Sequence, residues 1–393
     1  MTRAGWLLAA ALTAAAVGAA RWRAPVQVTG YDAGFYLAMT ENPLSKTPRT
    51  LTAPYAYRLV PSLLLHFVPG RIPKVYAAYT ALAAWATVLV FLKALRRLGF
   101  RAKPMLMAGF LFVSSWVSLR FAFYDPVHVD ITYSLILAGA FYGLAARSDP
   151  IFALCLLIGA ATREYFLILI PTYYLRRCRR GILDGRAAAR TAAVAAGPIA
   201  VFFALRLFLP VSNRDFAYGE HALYFGRMFL IHWPRMVHAA FNVFGVGIFI
   251  IVFGLGAAGR FLTRHSWVAA YLFLSLICLA LGGADRCRIL FTAWPAVLLL
   301  AAAVVREQNE LYRSQLLWGL LILLQLLLMR WHLPLEPATY RQLWWSNVSF
   351  LPRSEFLVSS NRYLMAGLAF LAAAGGLRLR QISFVDNNPE KRG

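Results

Sequence analysis

The chain has 393 residues, 60% of them hydrophobic, with a mean hydropathy of +0.61, which excludes an ordinary soluble globular protein and a disordered one. The formal net charge is +24. In a chain this apolar, that charge favours anionic lipid head groups and lipid phosphates over nucleic acid as partners.

Apolar segments of roughly the 17 to 25 residues that cross a bilayer recur along the chain. The first, residues 5–20, fits either a signal peptide or a retained first helix, and we interpret it as retained because many spans follow it. Segment 151–175 is either one helix or a hairpin of two short helices bent at residues 162–164. The other predicted spans lie near residues 75–92, 104–121, 131–146, 190–209, 241–258, 266–282, 289–305, 314–330 and 362–377.

Two basic runs, residues 93–103 and 176–180, mark cytoplasmic loops under the positive-inside rule. Because Arg147 lies on the same side, segment 151–175 must leave and return, which favours the hairpin. The predicted fold is an all-α integral membrane protein, a polytopic bundle of about 12 transmembrane or re-entrant helices with both termini cytoplasmic. Its single transmembrane domain covers residues 1–382, with outer loops at 21–74, 211–240 and 331–361 and a cytoplasmic tail at 383–393.

The first outer loop has the most informative pattern. It opens with an acid among aromatic residues and closes with an aromatic residue followed by arginine: Tyr31, Asp32 and Tyr36, then Tyr57 and Arg58. Asp32 fits two roles, the N-cap of a short helix over residues 33–41 or a carboxylate in the wall of an active site. Segment 59–69 is too short to span a bilayer, so we expect it to lie at the interface with Arg58 at its edge.

A second acidic motif lies at the outer start of the fourth helix. Asp125-Pro126 is typical of a helix N-terminus, which is one interpretation. Asp125 and His128 are three residues apart and share a helix face. With Asp130 they form a candidate site for a divalent metal, and no other cofactor is indicated.

Two further motifs place charges where the chain is otherwise apolar. Arg163 and Glu164 interrupt segment 151–175, where each charge costs roughly 2.5–3.5 kcal/mol to insert. Adjacent helical residues point apart, so the two need different partners, either in ion pairs with other helices or in a ligand. A tight outer turn carries Asp285, Arg286 and Arg288, which fit either snorkelling arginines or a phosphate clamp.

Together these motifs resemble the GT-C superfamily of membrane glycosyltransferases. The resemblance rests on residues 31–36, 54–58, 125–130, 162–164 and 285–288, the last followed by Pro295, and extends loosely over residues 1–330. It implies an inverting transfer of sugar from a polyprenyl-phosphate carrier at the outer side of a bacterial cytoplasmic (inner) membrane. Asp32 matches the general base of such enzymes. The chain differs from them in lacking an Asp-x-Asp pair and a large C-terminal soluble domain.

The resemblance also implies the partners. These are a polyprenyl-phosphate-linked sugar donor, membrane lipids, and a glycan, lipid or protein acceptor. The substrate-binding candidates are Tyr31, Tyr36, Tyr57, Arg58, Asp125, His128, Arg163, Glu164, Asp285, Arg286 and Arg288.

Two alternatives remain. One is a transporter or flippase of lipid-linked sugars, which predicts internal repeats and helices broken at mid-membrane. The other is an outer-face polysaccharide polymerase or ligase with a pyrophosphate-linked donor.

Overall fold

The structure is a computed structural model that describes residues 31–43, 53–115, 118, 121–124, 126–178, 184–209, 211, 218–231, 233–282, 286–329 and 362–377, with isolated positions between 10 and 18. Every regular element in these ranges is helical, so the all-α prediction is confirmed. The predicted outer loop 331–361, the tail 383–393 and most of the first segment lie outside the described residues.

The α-helices are mostly joined by short connecting segments. They are α1 (Tyr31–Glu41), α2 (Leu59–His66), α3 (Ile72–Arg97), α4 (Ala102–Ser114), α5 (Phe121–Tyr124), α6 (Asp130–Ala146), α7 (Asp149–Ala160), α8 (Leu169–Arg177), α9 (Gly185–Phe208), α10 (Tyr218–Ile231), α11 (Trp233–Phe244), α12 (Val246–Phe253), α13 (Leu255–Arg264), α14 (Ser266–Leu281), α15 (Arg286–Leu290), α16 (Trp294–Glu307), α17 (Gln315–Leu328) and α18 (Arg362–Leu377). Short 3-10 turns cover Tyr55–Tyr57, Glu164–Ile168, Phe291–Ala293 and Leu311–Arg313.

Within the described ranges, three helices are long and apolar enough to cross a membrane: α3, α9 and the stretch Cys287–Glu307. Two bent pairs, α11 with α12 and α13 with α14, raise the number to five if each pair is one span. The other apolar helices, including α4, α6, α7, α17 and α18, have 10–17 residues. The structure thus has helices of membrane-spanning length and composition, while the number of twelve spans stays a prediction.

The contacts between helices define two ends of the bundle. Helices α3 and α6 run side by side in the same direction, since Tyr79 and Thr132 near their starts share a 2.9 Å hydrogen bond. The basic end is where α3, α6 and α8 finish. There Arg176 of α8 donates to the Leu144 carbonyl of α6 over 3.1 Å. The opposite end, here called the site end, carries the starts of α3 and α6.

Segment 151–175 is a hairpin, as the charge argument predicted. Helix α7 leaves the basic end, the chain breaks after Ala160, and α8 returns. Arg177 at the end of α8 forms an ion pair with Asp149 at the start of α7. The rings of Phe152 and Tyr173 stack between the two arms with centroids 4.7 Å apart. The tip, with Arg163 and Glu164, therefore lies at the site end.

The predicted span 241–258 is not one continuous helix, because the chain bends sharply at Gly245 and the helix breaks again at Gly254. Helices α11 and α12 meet at 106°, with Gly245 between them at a φ of +52°. A Cβ at Gly245 would lie 2.2 Å from the amide oxygen of Gln325, which accepts a hydrogen bond from the Val246 nitrogen. Gly254, at the next break, faces Val304 as closely. Both breaks thus need a residue without a side chain.

The described part of the predicted first outer loop packs into a small hydrophobic core at the site end, together with the start of α3 and with Val127 and Val129. Helix α1 already includes Tyr31 and Asp32, so Asp32 lies in its first turn and not at an N-cap before residue 33. Tyr36 is fully buried, and its carbonyl accepts hydrogen bonds from Thr40 at 2.8 Å and Ser62 at 3.2 Å. Helix α2 is short, as predicted, and Phe67 just after it is 75% exposed. Such exposure suits a segment lying at a membrane surface.

Candidate active site

The tip of the hairpin presents two opposite charges to two different partners. Arg163 has an extended backbone, with φ −162°, between α7 and the 3-10 turn that starts at Glu164. The backbone nitrogens of Thr162 and Arg163 both donate to the Gly159 carbonyl, which closes the end of α7. Arg163 contacts Asp130, whereas Glu164 contacts Arg58. The prediction of separate partners on other elements is therefore confirmed, in the form of internal ion pairs.

Asp130 lies between two buried arginines. Its Oδ1 accepts from Arg163, and its Oδ2 accepts from Arg288 Nε over 2.7 Å. The three side chains are 9%, 6% and 5% exposed. Arg288 Nη2 also lies 3.0 Å from His128 Nδ1. Arg288 is therefore not a snorkelling surface arginine, because it joins the start of Cys287–Glu307 to the start of α6.

Arg58 connects the first loop to the hairpin tip. Its Nη2 lies 3.3 Å from a Glu164 oxygen, and its Nη1 donates to the Tyr36 hydroxyl over 3.2 Å. Burial alone lowers the pKa of Arg58, but the Glu164 carboxylate and Tyr36 raise it by more, so it ends well above its ordinary value. Arg58 is thus a permanent cation held against the tip of the hairpin.

Arg206 belongs to the same cluster, and the sequence analysis missed it. Its Nη2 lies 3.8 Å from Glu164, and its guanidinium lies over the rings of Phe202 at 3.5 Å and Tyr57 at 4.6 Å. An arginine in the last turn of an apolar span is ordinarily expected to snorkel to the surface. Only its position two residues before the end of α9, level with the other charges, could have indicated this role.

Three buried donor groups in the cluster have no hydrogen-bond partner within the part of the chain that the structure describes. They are the Nε atoms of Arg58 and Arg163 and the hydroxyl of Tyr133. The Tyr133 ring lies 5.9 Å from the Arg163 guanidinium. Buried donors without acceptors are rare in proteins, and at functional sites they often indicate a ligand, an ion or water.

The aromatic candidates are buried in the protein. Tyr36 packs edge-on against Tyr55 at 5.9 Å and His128 at 6.2 Å, so neither ring face is open for stacking on a sugar. Tyr57 is 6% exposed and lies under Arg206. Both therefore position arginines in this conformation. Phe35, which stacks on Tyr55 at 4.5 Å, is partly exposed.

Several predicted site residues cannot be placed by their side chains. Asp125 and Asp285 lie outside the described residues, as do the side chains of Tyr31, Asp32 and Arg286. The backbone still places Asp32 in α1, one helical turn before Tyr36. It places Arg286 two residues before Arg288 at the start of α15. Both positions therefore lie in elements that contribute to the cluster.

The proposed metal site does not fit the described geometry. Arg288 contacts His128 Nδ1 and Asp130 Oδ2, and Arg163 contacts Asp130 Oδ1, so cationic side chains already engage both carboxylate oxygens of Asp130 and one nitrogen of His128. A cation beside these atoms also disfavours a divalent ion. Among the described residues, no three His, Cys, Asp or Glu side chains cluster as metal ligands.

Comparison of the chain with protein-family models, with curated proteins and with solved structures found no match.

Proposed function

We propose that the protein is an inverting glycosyltransferase of the membrane surface. It moves a sugar from a polyprenyl-phosphate carrier to an acceptor, with Asp32 as the general base. The motifs that resemble the GT-C superfamily give the reaction class. The buried arginine cluster supplies the independent physical support.

The observation that carries the proposal is that the Nε donors of Arg58 and Arg163 have no hydrogen-bond partner among the described residues. Both guanidiniums are buried and already contact carboxylates through other nitrogens. A guanidinium has five N–H donors in a fixed fork, and a phosphate oxygen suits those left unused. The described members of the cluster number four arginines and two carboxylates, so it favours an added anion.

The charge of this cluster suits the transfer step. The Asp32 carboxylate would take the proton of the acceptor hydroxyl while the acceptor oxygen bonds to the anomeric carbon. The bond from that carbon to the phosphate oxygen breaks, and its electron pair stays on the phosphate. The carrier phosphate thereby changes from a monoanion to a dianion. Fixed cations stabilise the transition state, in which the second charge develops on the phosphate, more than they stabilise the monoanionic donor, and this difference lowers the barrier.

The depth of the cluster favours a surface enzyme over a carrier. Asp130 begins α6, Arg288 lies at the start of Cys287–Glu307, and Arg206 lies two residues before the end of α9. All three are at helix ends, where a lipid phosphate would lie. A transporter site is instead expected near mid-membrane.

The test is a donor panel with purified full-length protein. We expect one polyprenyl-phosphate sugar to be transferred or slowly hydrolysed. Arg206→Gln should weaken binding of that donor about tenfold or more, because it removes one fixed cation from the cluster. The fold should tolerate the change, since the ion pair of Arg206 with Glu164 is long, at 3.8 Å, and its other contacts are with the Phe202 carbonyl and the rings of Phe202 and Tyr57. Arg313→Gln is the control, since Arg313 is exposed at the basic end and pairs with Glu310. Normal donor binding by Arg206→Gln would make that arginine structural, and a panel with no substrate would overturn the proposal.

A transporter or flippase of lipid-linked sugars is the second candidate, favoured by the broken helices. The hairpin α7–α8 and the 106° and 108° bends resemble the discontinuous helices of transporters. Movement of a labelled lipid-linked sugar across the vesicle membrane, without chemical change, would support this candidate.

The third candidate is an outer-face polymerase or ligase. It would be supported if the donor panel described above included a pyrophosphate-linked sugar and the protein used that donor.

A further inference from the structure

A second charged cluster lies at the basic end, around the base of the hairpin. Four arginines from two helices and one loop lie there, and two of them form ion pairs with a single carboxylate. Arg177 and Arg190 both form ion pairs with Asp149, and Arg177 also donates to the Arg147 carbonyl over 2.9 Å. Arg176, beside Arg177, donates to the Leu144 carbonyl of α6. We define Arg147, Arg176, Arg177, Arg190 and Asp149 as the basal patch.

The basal patch has unused capacity for an anion. Its described members are four arginines and one carboxylate, and Asp149 forms ion pairs with only two of those arginines, Arg177 and Arg190. Repulsion between neighbouring like charges is unfavourable. The Nε atom of Arg177 is buried and has no hydrogen-bond partner within the described ranges. Arg147 is exposed, and its left-handed backbone, with φ +55°, ends α6 and turns the chain into α7.

The surface beside the patch is apolar and faces outward. In helix α9, which carries Arg190, only 11% of the apolar membrane-spanning stretch is buried inside the protein. On the neighbouring α7, Ile151, Leu154 and Leu157 are 36%, 56% and 41% exposed and recur every three residues along one face. A charged patch directly above apolar faces of this kind matches a lipid, with its head group on the arginines and its acyl chains along the helices.

We propose that the basal patch binds the phosphate group of an anionic phospholipid, with Arg147 and Arg190 as the outer contacts and Arg177 as the inner one. The site is separate from the cluster at the site end and does not depend on the proposed glycosyl transfer. Phosphatidylglycerol supplies the required single negative charge on a phosphodiester, whereas phosphatidylcholine has the same phosphate but no net charge.

The experiment counts lipids bound to the purified full chain by native mass spectrometry, with phosphatidylglycerol or phosphatidylcholine added. We expect selective retention of phosphatidylglycerol, weakened about fivefold by Arg190→Gln and again by Arg147→Gln, as expected for one basic side chain each. Arg260→Gln is the matched control. Arg260 is 58% exposed like Arg190, pairs with Glu307, and carries the same charge at the same end.

Equal loss in Arg190→Gln and Arg260→Gln would overturn the proposal, because binding would then follow net charge alone. Equal retention of both lipids would do so as well. Inorganic phosphate distinguishes the source: if it displaces phosphatidylglycerol at equal concentration, the ligand is a free phosphate and the lipid assignment is wrong. Arg147→Gln keeps the test valid if Arg190→Gln misfolds, since the structural contact of Arg147 is made by its backbone carbonyl.

Discussion

Replacement of Asp130 by asparagine tests the network that holds the site end together. The carboxylate of Asp130 serves Arg163 and Arg288 at once, and all three side chains are less than 10% exposed. Asp130→Asn keeps the size and one acceptor oxygen but leaves two buried cations without their counter-charge. Breaking a buried pair in this way costs about 3–5 kcal/mol. We therefore expect Asp130→Asn to be the most destabilising charge-neutralising change in the described part of the cluster.

Two further variants provide a scale for this loss of stability. Glu164→Gln should cost about 1–2 kcal/mol, since its contacts of 3.3 and 3.8 Å are longer and its side chain is 19% exposed. Glu310→Gln should cost less than about 0.5 kcal/mol, because Glu310 and Arg313 are both more than 60% exposed. Thermal unfolding of the purified protein, followed by tryptophan fluorescence, should give this order of midpoints. An Asp130→Asn protein with the same unfolding midpoint as Glu310→Gln would refute the reasoning.

A triple variant separates stability from function. Asp130→Leu with Arg163→Met and Arg288→Met removes all three charges and keeps a similar volume. Replacing a whole buried ionic triad by apolar side chains is often neutral or stabilising. We expect the triple variant to unfold near the wild-type temperature yet to bind no anionic donor. Normal donor binding by this variant would show that the two arginines do not contact the ligand.

Three further outcomes are expected. Asp32→Asn should reduce turnover roughly 100-fold or more with folding and donor binding intact, and near-normal transfer would leave Asp32 a purely structural residue. Gly245→Ala should destabilise the protein by about 1–3 kcal/mol, because its φ is +52° and the new Cβ would meet Gln325, whereas Gly259→Ala, with open space around it, should not. In a variant without native cysteines, Glu41→Cys should label from outside intact cells and Arg101→Cys only after permeabilisation; the reverse would place the cluster on the cytoplasmic side.

The hairpin shows how far the sequence could be interpreted. Charges at Arg163 and Glu164 are costly inside an apolar segment, so both were expected to have partners, and helical geometry required those partners to differ. The basic residues at both ends of the segment indicated that it returns to the side it left. These conclusions need only local spacing and the cost of placing charge in a membrane.

The partners themselves could not be predicted. The spacing of Asp125, His128 and Asp130 makes Asp130 a candidate metal ligand, yet its contacts are Arg163 and Arg288, distant in the chain. Arg206 had no local pattern to distinguish it from a snorkelling side chain. The choice among 35 arginines for each carboxylate depends on which helix ends meet, and the sequence alone contains no record of that.

The sequence by itself determined the helical membrane class, the two differently charged ends and the break in the hairpin, because composition and local charge decide these. Only the tertiary structure decided that four arginines meet two carboxylates at one end, that the chain bends at Gly245, and that a helix breaks again at Gly254. Glycine is tolerated inside apolar helices, so an interruption there depends on the side chains opposite, Gln325 and Val304, which are brought close only when the bundle packs.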